Sequence, residues 1–216
     1  MSARRLAILK EMGLAPVWRL RGRSSAAESP SQVSGWNALE VEVPACTACA
    51  LHKTRTRTVL GVGDRNADWL LVGEAPGAEE DRLGEPFVGQ AGRLLDNMLA
   101  AIGLARGENV YIANVLKCRP PGNRNPEPEE VARCTPFLER QIALIQPKII
   151  LAMGRFAAQT LLDSDATIAS MRGRVHRRAG VPLVVTYHPA YLLRNLPDKA
   201  KAWSDLLLAR RTLDGL

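Results

Sequence analysis

Four cysteines are the residues of this chain best suited to bind a metal. Cys46 and Cys49 form a C-x2-C pair that places two thiolates on one tight turn, and Cys118 and Cys134 follow later in the chain. Four thiolates can hold a [4Fe–4S] cluster or a tetrahedral zinc ion. Because free cysteine also behaves as a small apolar residue, four unrelated core cysteines are a further alternative. The spacing alone leaves these alternatives open.

The elements that must position these cysteines alternate between strands and helices. Short apolar runs predict strands, and apolar residues at helical spacing predict helices between them. The predicted strands are Trp69–Val72, Val110–Ala113, Ile149–Met153 and Val181–Tyr187, and the predicted helices lie around Leu94–Ile102, Pro128–Ile145, Phe156–Leu162 and Asp198–Leu213. This alternation predicts an α/β fold, a three-layer α/β/α sandwich with a short, mainly parallel four-stranded sheet.

Polar residues follow three of the predicted strands directly. Glu74, Asn114 and His188 each lie just beyond a strand end. Parallel sheets bind ligands at the carboxyl ends of their strands, so we expect these side chains to share one edge. The turn that begins at Gly73 (GEAPG) allows a ligand to approach the backbone closely, although ordinary turn chemistry is an alternative. It lacks the phosphate loop G-x-x-x-x-G-K-[ST], which leaves nucleotide hydrolysis with little support.

Charge and composition point to the class of partner and to the domain limits. The net charge of +7 and a sequence pI of about 9.6 favour an anionic partner such as nucleic acid. No apolar run reaches the ~20 residues of a membrane span, and no secretory signal is evident. We therefore expect a cytoplasmic protein, in which clustered cysteines bind metal more often than they form disulfides. Residues 1–38 are predicted to be an N-terminal extension, with a short helix up to about residue 20 and a flexible linker after it, and residues 39–216 the folded domain.

Several motifs together resemble one known family. GEAPG (73–77), EPFVGQAGRLLDNML (85–99), YIANVLKCRPPGNRNP (111–126) and HPAYLLR (188–194) occur in this order together with the four cysteines. From about residue 40 to 210, the chain thereby resembles the family 4, or iron–sulfur, uracil-DNA glycosylases. The resemblance implies the uracil-DNA glycosylase fold and a structural [4Fe–4S] cluster on Cys46, Cys49, Cys118 and Cys134, with zinc as the alternative. It implies a monofunctional hydrolase that cuts the N-glycosidic bond of uracil in DNA and leaves an abasic site for base excision repair.

The resemblance also assigns roles in a base pocket. Phe87 matches the residue that stacks on the extruded uracil, and Asn114 matches the residue that reads the uracil edge with its amide donor and acceptor. His188 matches a hydrogen-bond donor near uracil O2, where charge develops as the base leaves. Taken singly, each residue has a structural alternative: a loop anchor for Phe87, a turn cap for Asn114 and a turn histidine for His188.

Glu74 occupies the turn where the reaction needs a carboxylate. It is expected either to position water or to stabilise the sugar cation. Other glycosylases with a GQDPY turn carry an aspartate at the next position, where this chain has Ala75, so a dedicated aspartate base is not expected. Backbone groups of Gly73, Glu74 and Ala75 are expected to touch the base.

A third group of residues is expected to contact DNA. The loop of Tyr191, Leu192, Leu193 and Arg194 resembles the segment that enters the minor groove, and Lys117, Arg119, Arg124 and Arg133 are basic residues close to two of the cysteines. The expected partner is uracil-containing DNA, single- or double-stranded, bound by a monomer that forms no covalent bond with it. The alternatives are a nucleic-acid binding module with a decayed pocket and an electron-transfer iron–sulfur protein.

Overall fold

A six-stranded sheet forms the middle layer of the protein. The computed structural model describes residues 30–215. Its strands are β1 (Val62–Gly63), β2 (Trp69–Gly73), β3 (Val110–Asn114), β4 (Ile149–Met153), β5 (Val175–Arg178) and β6 (Val181–Thr186). They lie in the order β1-β3-β2-β4-β6-β5. The four central strands run parallel, as predicted, and β1 and β5 pair antiparallel at the two edges.

The two edge strands are the difference from the predicted four-stranded sheet. β1 has only two residues, and β5 (VHRR) has no apolar run because its side chains alternate between exposed and partly buried positions. A strand at the edge of a sheet packs fewer side chains than a central one, so apolar content does not reveal it.

Helices cover both faces of the sheet. They are α1 (Pro30–Ala45), α2 (Ala78–Leu83), α3 (Gln90–Ala101), α4 (Pro128–Ile145), α5 (Arg155–Leu162), α6 (Ile168–Met171), α7 (Pro189–Leu192) and α8 (Lys199–Asp214). The four predicted helices correspond to α3, α4, α5 and α8, and α4 has the predicted ends. Within residues 30–215, no helix is both long enough and apolar enough to cross a membrane.

Two apolar cores follow from the alternation of side chains along the strands. On one face, buried residues of the sheet such as Leu70 pack with α1, α4 and α5. On the other face, neighbouring residues such as Leu71 pack with α3 and α8. The predicted three-layer arrangement is therefore confirmed.

The beginning of the folded domain differs from the prediction. Residues 30–38, assigned to a flexible linker, belong to α1, in which Trp36 is 1% exposed and Leu39 is fully buried. The Trp36 ring lies 5.3 Å from the ring of Tyr111 on β3. Trp36, Leu39 and Val43 recur at helical spacing, a signal that the surrounding serine, glycine and proline residues obscure. The helix and linker predicted before residue 30 lie outside the described residues.

Candidate active site

The carboxyl ends of the parallel strands open into a cleft of about 730 Å³. Strand register brings its components together, since Gly73 at the end of β2 pairs with Asn114 at the end of β3. The cleft is lined by predicted site residues from four separate segments: Glu74, Ala75, Phe87, Asn114, His188, Tyr191 and Arg194. The predicted base pocket thus forms one surface, with Gly73 directly beneath it.

Phe87 is held in an unusual backbone conformation beside His188. Its φ is +55°, in the left-handed region that side chains other than glycine seldom adopt. The Phe87 and His188 rings stack with their centroids 5.3 Å apart. A Cβ at Gly92 would lie 1.7 Å from the Phe87 carbonyl oxygen, and one at Gly73 would lie 2.7 Å from the Phe87 ring. Both positions therefore require glycine if Phe87 is to face the cleft.

Asn114 presents an amide at the bottom of the cleft. Only 2% of the residue is exposed. Its backbone carbonyl accepts a hydrogen bond from Lys117 Nζ at 2.7 Å, whereas the side-chain amide has no protein hydrogen-bond partner in the part of the chain that the structure describes. A Cβ at Gly73 would approach Asn114 Oδ1 to 2.3 Å, so glycine there leaves room for the amide. The donor and the acceptor of this amide are therefore available to a bound base.

His188 is a neutral hydrogen-bond donor at neutral pH. Burial lowers the pKa of its imidazole to about 4. Its Nδ1 accepts a hydrogen bond from the Ala190 N–H at 3.1 Å as the ring caps α7. In the neutral ring the proton must then reside on Nε2. His188 thus carries an N–H donor on the wall of the cleft.

Glu74 has a partly buried carboxylate, and its position in the cleft shifts its pKa. Burial raises the pKa of Glu74 to about 7, and the positive charge of Arg155 opposes this shift with a smaller effect. Arg155 itself lines the cleft. The carboxylate is therefore partly protonated at neutral pH, unlike an ordinary surface glutamate.

The sequence analysis missed Glu80, which connects two loops of the cleft. Its carboxylate accepts hydrogen bonds from the N–H groups of Gly77 at 3.1 Å, Val88 at 3.1 Å and Gly89 at 3.4 Å. It therefore joins the turn that carries Glu74 to the loop that carries Phe87. The G-x-x-E spacing at the start of α2, typical of a helix N-terminus, is the signal that could have identified it.

Arg106 is a second residue that the sequence analysis missed. Its guanidinium donates to the carbonyls of Pro86 at 2.9 Å and Phe87 at 2.8 Å, and to Asp96 Oδ1 at 3.0 Å. These bonds hold the strained backbone of Phe87 in place. No local motif reveals this role, because Arg106 is 19 residues from Phe87.

The four cysteines surround one small cavity beside the cleft. The cavity is lined by Cys46, Cys49, Cys118 and Cys134 together with Arg55. Arg55 Nη1 donates to Cys118 Sγ at 3.2 Å, and the backbone N–H of residue 117 donates to Cys134 Sγ at 3.2 Å. Donors aimed at sulfur suit thiolate ligands. Within residues 30–215, no three histidine, cysteine or acidic side chains are grouped so as to hold one metal ion.

Lys117 is buried, so the phosphate contact predicted for it is wrong. The residue is 1% exposed. Its Nζ donates to the Asn114 carbonyl and, at 2.6 Å, to Gln141 Oε1. The alternation of buried and exposed positions that would reveal this is absent in an irregular loop.

The predicted loop at the minor groove divides into a buried and an exposed part. Leu192 is 1% exposed and packs with Tyr187 and Ala202, so its predicted role as a wedge is wrong. Leu193 is 41% exposed. The ring of Tyr191 stacks on that of Tyr187 with 4.9 Å between centroids. Of the two leucines, Leu193 is thus the one available as an apolar wedge.

Basic side chains surround the cleft unevenly. Arg194 is exposed at its rim, and Arg119 donates to an asparagine of its own exposed loop. Arg124 also lines the cleft, but it forms an ion pair with the buried Glu130 at 2.5 Å. Arg133 lies at the cysteine cavity with 60% of its side chain exposed.

Comparison with known proteins agrees with this geometry. The uracil DNA glycosylase superfamily matches residues 60–207. A type-4 uracil-DNA glycosylase of Archaeoglobus fulgidus is 52% identical over 160 residues, covering 70% of this chain and 80% of the relative. One from Thermotoga maritima is 48% identical over 161 residues, covering 74% and 83%. A type-5 enzyme of Pyrobaculum aerophilum is 33% identical over 148 residues, covering 60% and 64%. With these similarities, a cleft at the strand ends and four cysteines beside it, the chain belongs to the type-4 uracil-DNA glycosylases.

Proposed function

We propose that this protein hydrolyses the N-glycosidic bond of uracil in single- or double-stranded DNA, releasing uracil and leaving an abasic site. The observation that carries the proposal is that Phe87, Asn114 and His188 line one cleft although 101 positions separate the first from the last. An enzyme that acts on a base must take it out of the stack into such a pocket. Each of these side chains supplies a different contact to the extruded base.

Recognition of uracil rests on Phe87 and Asn114. The Phe87 ring offers a face on which the extruded base stacks. The Asn114 amide donates to uracil O4 and accepts from N3–H, whereas cytosine presents a donor and an acceptor in the reverse order. Because the amide is buried, a mismatched base would leave it without a partner. Sites built on such hydrogen bonds reject the wrong partner by about 10⁴–10⁵-fold.

Departure of the base is assisted by His188. As the bond between C1′ and N1 breaks, its electron pair moves onto uracil and negative charge develops at O2. The Nε2–H of neutral His188 donates to this oxygen and stabilises the charge. A donor that is already in place contributes about 10²–10³ in rate.

Glu74 acts on the attacking water or on the sugar. The oxygen of a water molecule bonds to C1′ and one of its protons must leave. The Glu74 carboxylate either accepts that proton or stabilises the positive charge on the sugar. Both roles require the ionised carboxylate, so both predict activity that increases with pH up to about the pKa of Glu74.

The four cysteines are proposed to hold a [4Fe–4S] cluster. The cavity that they share and the donors aimed at Cys118 and Cys134 support a metal centre on thiolates, and the similarity to the type-4 enzymes favours a cluster over one zinc ion. When bound, the cluster supplies a structural crosslink between the chain before β1, the loop after β3 and α4. A metal on reduced thiolates also supports a cytoplasmic location.

The test is excision from an oligonucleotide with a single uracil, followed by alkali to break abasic sites. We expect strand breaks at uracil and none in matched oligonucleotides with thymine or cytosine at that position. Elemental analysis of the same preparation should give iron rather than zinc. An intact uracil strand after incubation with folded, iron-loaded protein would reject the enzyme and favour a binding module.

A further inference from the structure

Lys117 is a buried cation that the proposed reaction does not use. It is 1% exposed, and its Nζ donates at 2.7 Å to the Asn114 carbonyl and at 2.6 Å to Gln141 Oε1. Both acceptors are neutral, and within residues 30–215 it forms no ion pair with a carboxylate. The buried Glu130 and Asp205, by contrast, each pair with an arginine.

A buried ammonium ion needs negative charge nearby, because neutral acceptors replace only part of its hydration. The thiolate ligands are a nearby source. The backbone N–H of Lys117 donates to Cys134 Sγ at 3.2 Å, and Cys118 is the next residue of the chain. When these cysteines are metal ligands they are deprotonated, and the ligand set as a whole is anionic.

The same side chain reaches the base pocket. Asn114 is the last residue of β3, and its side chain reads the base in the proposed function while its carbonyl is held by Lys117. Gln141 fixes the other side of the ammonium, because its Nε2 donates at 2.8 Å to the carbonyl of Leu60. Lys117 therefore lies between the cysteine set and the strand end that carries Asn114.

We propose that Lys117 is a positioning residue, whose ammonium group is balanced by the anionic cysteine set and in turn fixes the end of β3 at Asn114. The inference rests on the proposed function and extends it, since it makes the geometry of the base pocket depend on the state of the cysteines. It also replaces the phosphate contact expected from the sequence.

The first experiment compares Lys117→Met with Lys148→Met in the full-length protein. Lys148 is a matched control because it is largely exposed and pairs with Asp68 at the amino-terminal end of the sheet. We expect Lys117→Met to lose iron to a chelator at least about tenfold faster, as for other residues that support metal ligands. We expect kcat to fall about tenfold while KM for DNA and its salt dependence stay unchanged. A raised KM with a reduced salt dependence would mean a phosphate contact and overturn the proposal, as would unchanged iron release.

The second experiment needs no variant, so it tests the coupling of the end of β3 to the cysteine set even if Lys117→Met does not fold. Amide hydrogen exchange of the wild-type protein is measured with iron present and after its removal. We expect exchange to accelerate in residues 111–117 and to remain unchanged in 181–186, which form β6. No acceleration, or equal acceleration in both segments, would overturn the proposal. A wild-type protein that holds iron but excises no uracil would reject the proposed function, whereas iron release from Lys117→Met tests the side chain and exchange tests the coupling, both independently of excision.

Discussion

The base cleft and the cysteine cavity are neighbours that the chain builds by different means. In the cleft, Glu74, Asn114 and His188 lie at or just after the ends of strands whose positions are fixed by the hydrogen bonds of a parallel sheet. Around the cavity, Cys46 lies beyond a helix end, and Cys134 lies within α4. Only packing and, in the proposed function, the cluster bring those segments together. Changes in the cleft should therefore alter chemistry with little loss of stability, whereas changes at the cavity should alter both.

The strongest test of this contrast is His188→Ala. Loss of the donor to uracil O2 should reduce kcat about 10²–10³-fold. The midpoint of thermal unfolding should remain close to that of the wild type, because among the described residues the imidazole forms a single hydrogen bond, from Ala190. Single-turnover excision and thermal unfolding measure the two effects.

His176→Ala provides the matched control, since His176 bonds only the Met171 carbonyl and lies on the edge strand β5. Its excision rate should equal that of the wild type. If His188→Ala unfolds as readily as a core variant does, changes in the cleft alter stability as well as chemistry, and the contrast with the cysteine cavity fails.

The next effect is the pH dependence of excision, which the Glu74 carboxyl should control. Burial raises the pKa of Glu74 from 4.5 to about 7, so kcat/KM should fall about tenfold per pH unit below 7. His188, with its pKa lowered to about 4, should contribute no inflection between pH 5 and 9. Glu74→Gln should have low activity without this pH dependence.

The raised pKa of Glu74 also makes stability depend on pH, and stability falls over the range in which activity rises. Between pH 4.5 and about 7 the folded protein retains a proton on Glu74 that the unfolded chain has lost. The contribution of this group to the free energy of unfolding therefore decreases as pH rises through this window and is constant above it. In Glu74→Gln this contribution should disappear. Chemical denaturation at several pH values would contradict the assignment if both proteins showed the same profile.

The sequence predicted the central sheet and the strand-end residues of the cleft because these depend on local patterns. A buried parallel strand is a continuous apolar run, and the residue after it must lie at the edge of the sheet, which placed Asn114 and His188 correctly. The roles of Glu80 and Arg106 depend on contacts between loops, which no spacing within either loop records.

The sequence does not predict which residues of irregular segments are buried. Lys117 is basic and follows a strand, which is typical of a phosphate contact, yet its acceptors are the Asn114 carbonyl and Gln141 on α4. Adjacent Leu192 and Leu193 are identical in type, and only the packing of α7 against Tyr187 separates them. Residue type gives the chemistry that is possible, and tertiary contacts decide which side chain is available for it.

A smaller effect should come from Arg106→Met, which tests how far the cleft depends on the hydrogen bonds that hold the Phe87 loop. The variant loses two hydrogen bonds to the backbone around Phe87. Charged hydrogen bonds contribute about 1.5–3 kcal/mol each, but water replaces part of this at a half-buried site, so kcat/KM should fall roughly tenfold. Inhibition by free uracil should weaken, while affinity for DNA with an abasic site should not change.

Arg210→Met is the control for that variant, because Arg210 also binds a backbone carbonyl and a carboxylate but lies far from the cleft. In a Phe87→Leu background, Arg106→Met should cause almost no further loss, since its effect acts through Phe87. Additive losses would show that Arg106 supports the fold in general.

The smallest effect on activity should separate two adjacent leucines of one loop. Leu193→Ala removes an exposed side chain, so stability should change by less than about 0.5 kcal/mol. If Leu193 unstacks the duplex, KM for double-stranded uracil DNA should rise by roughly threefold to tenfold, while KM for single-stranded DNA should not, because a single strand has no paired stack to open. Leu192→Ala should instead lower the free energy of unfolding by about 2–5 kcal/mol and leave both KM values unchanged below its unfolding temperature. If Leu192→Ala instead weakens binding of the duplex selectively while the protein keeps its stability, α7 must turn toward DNA on binding. The substrate, and not the sheet, would then determine the conformation of this part of the cleft.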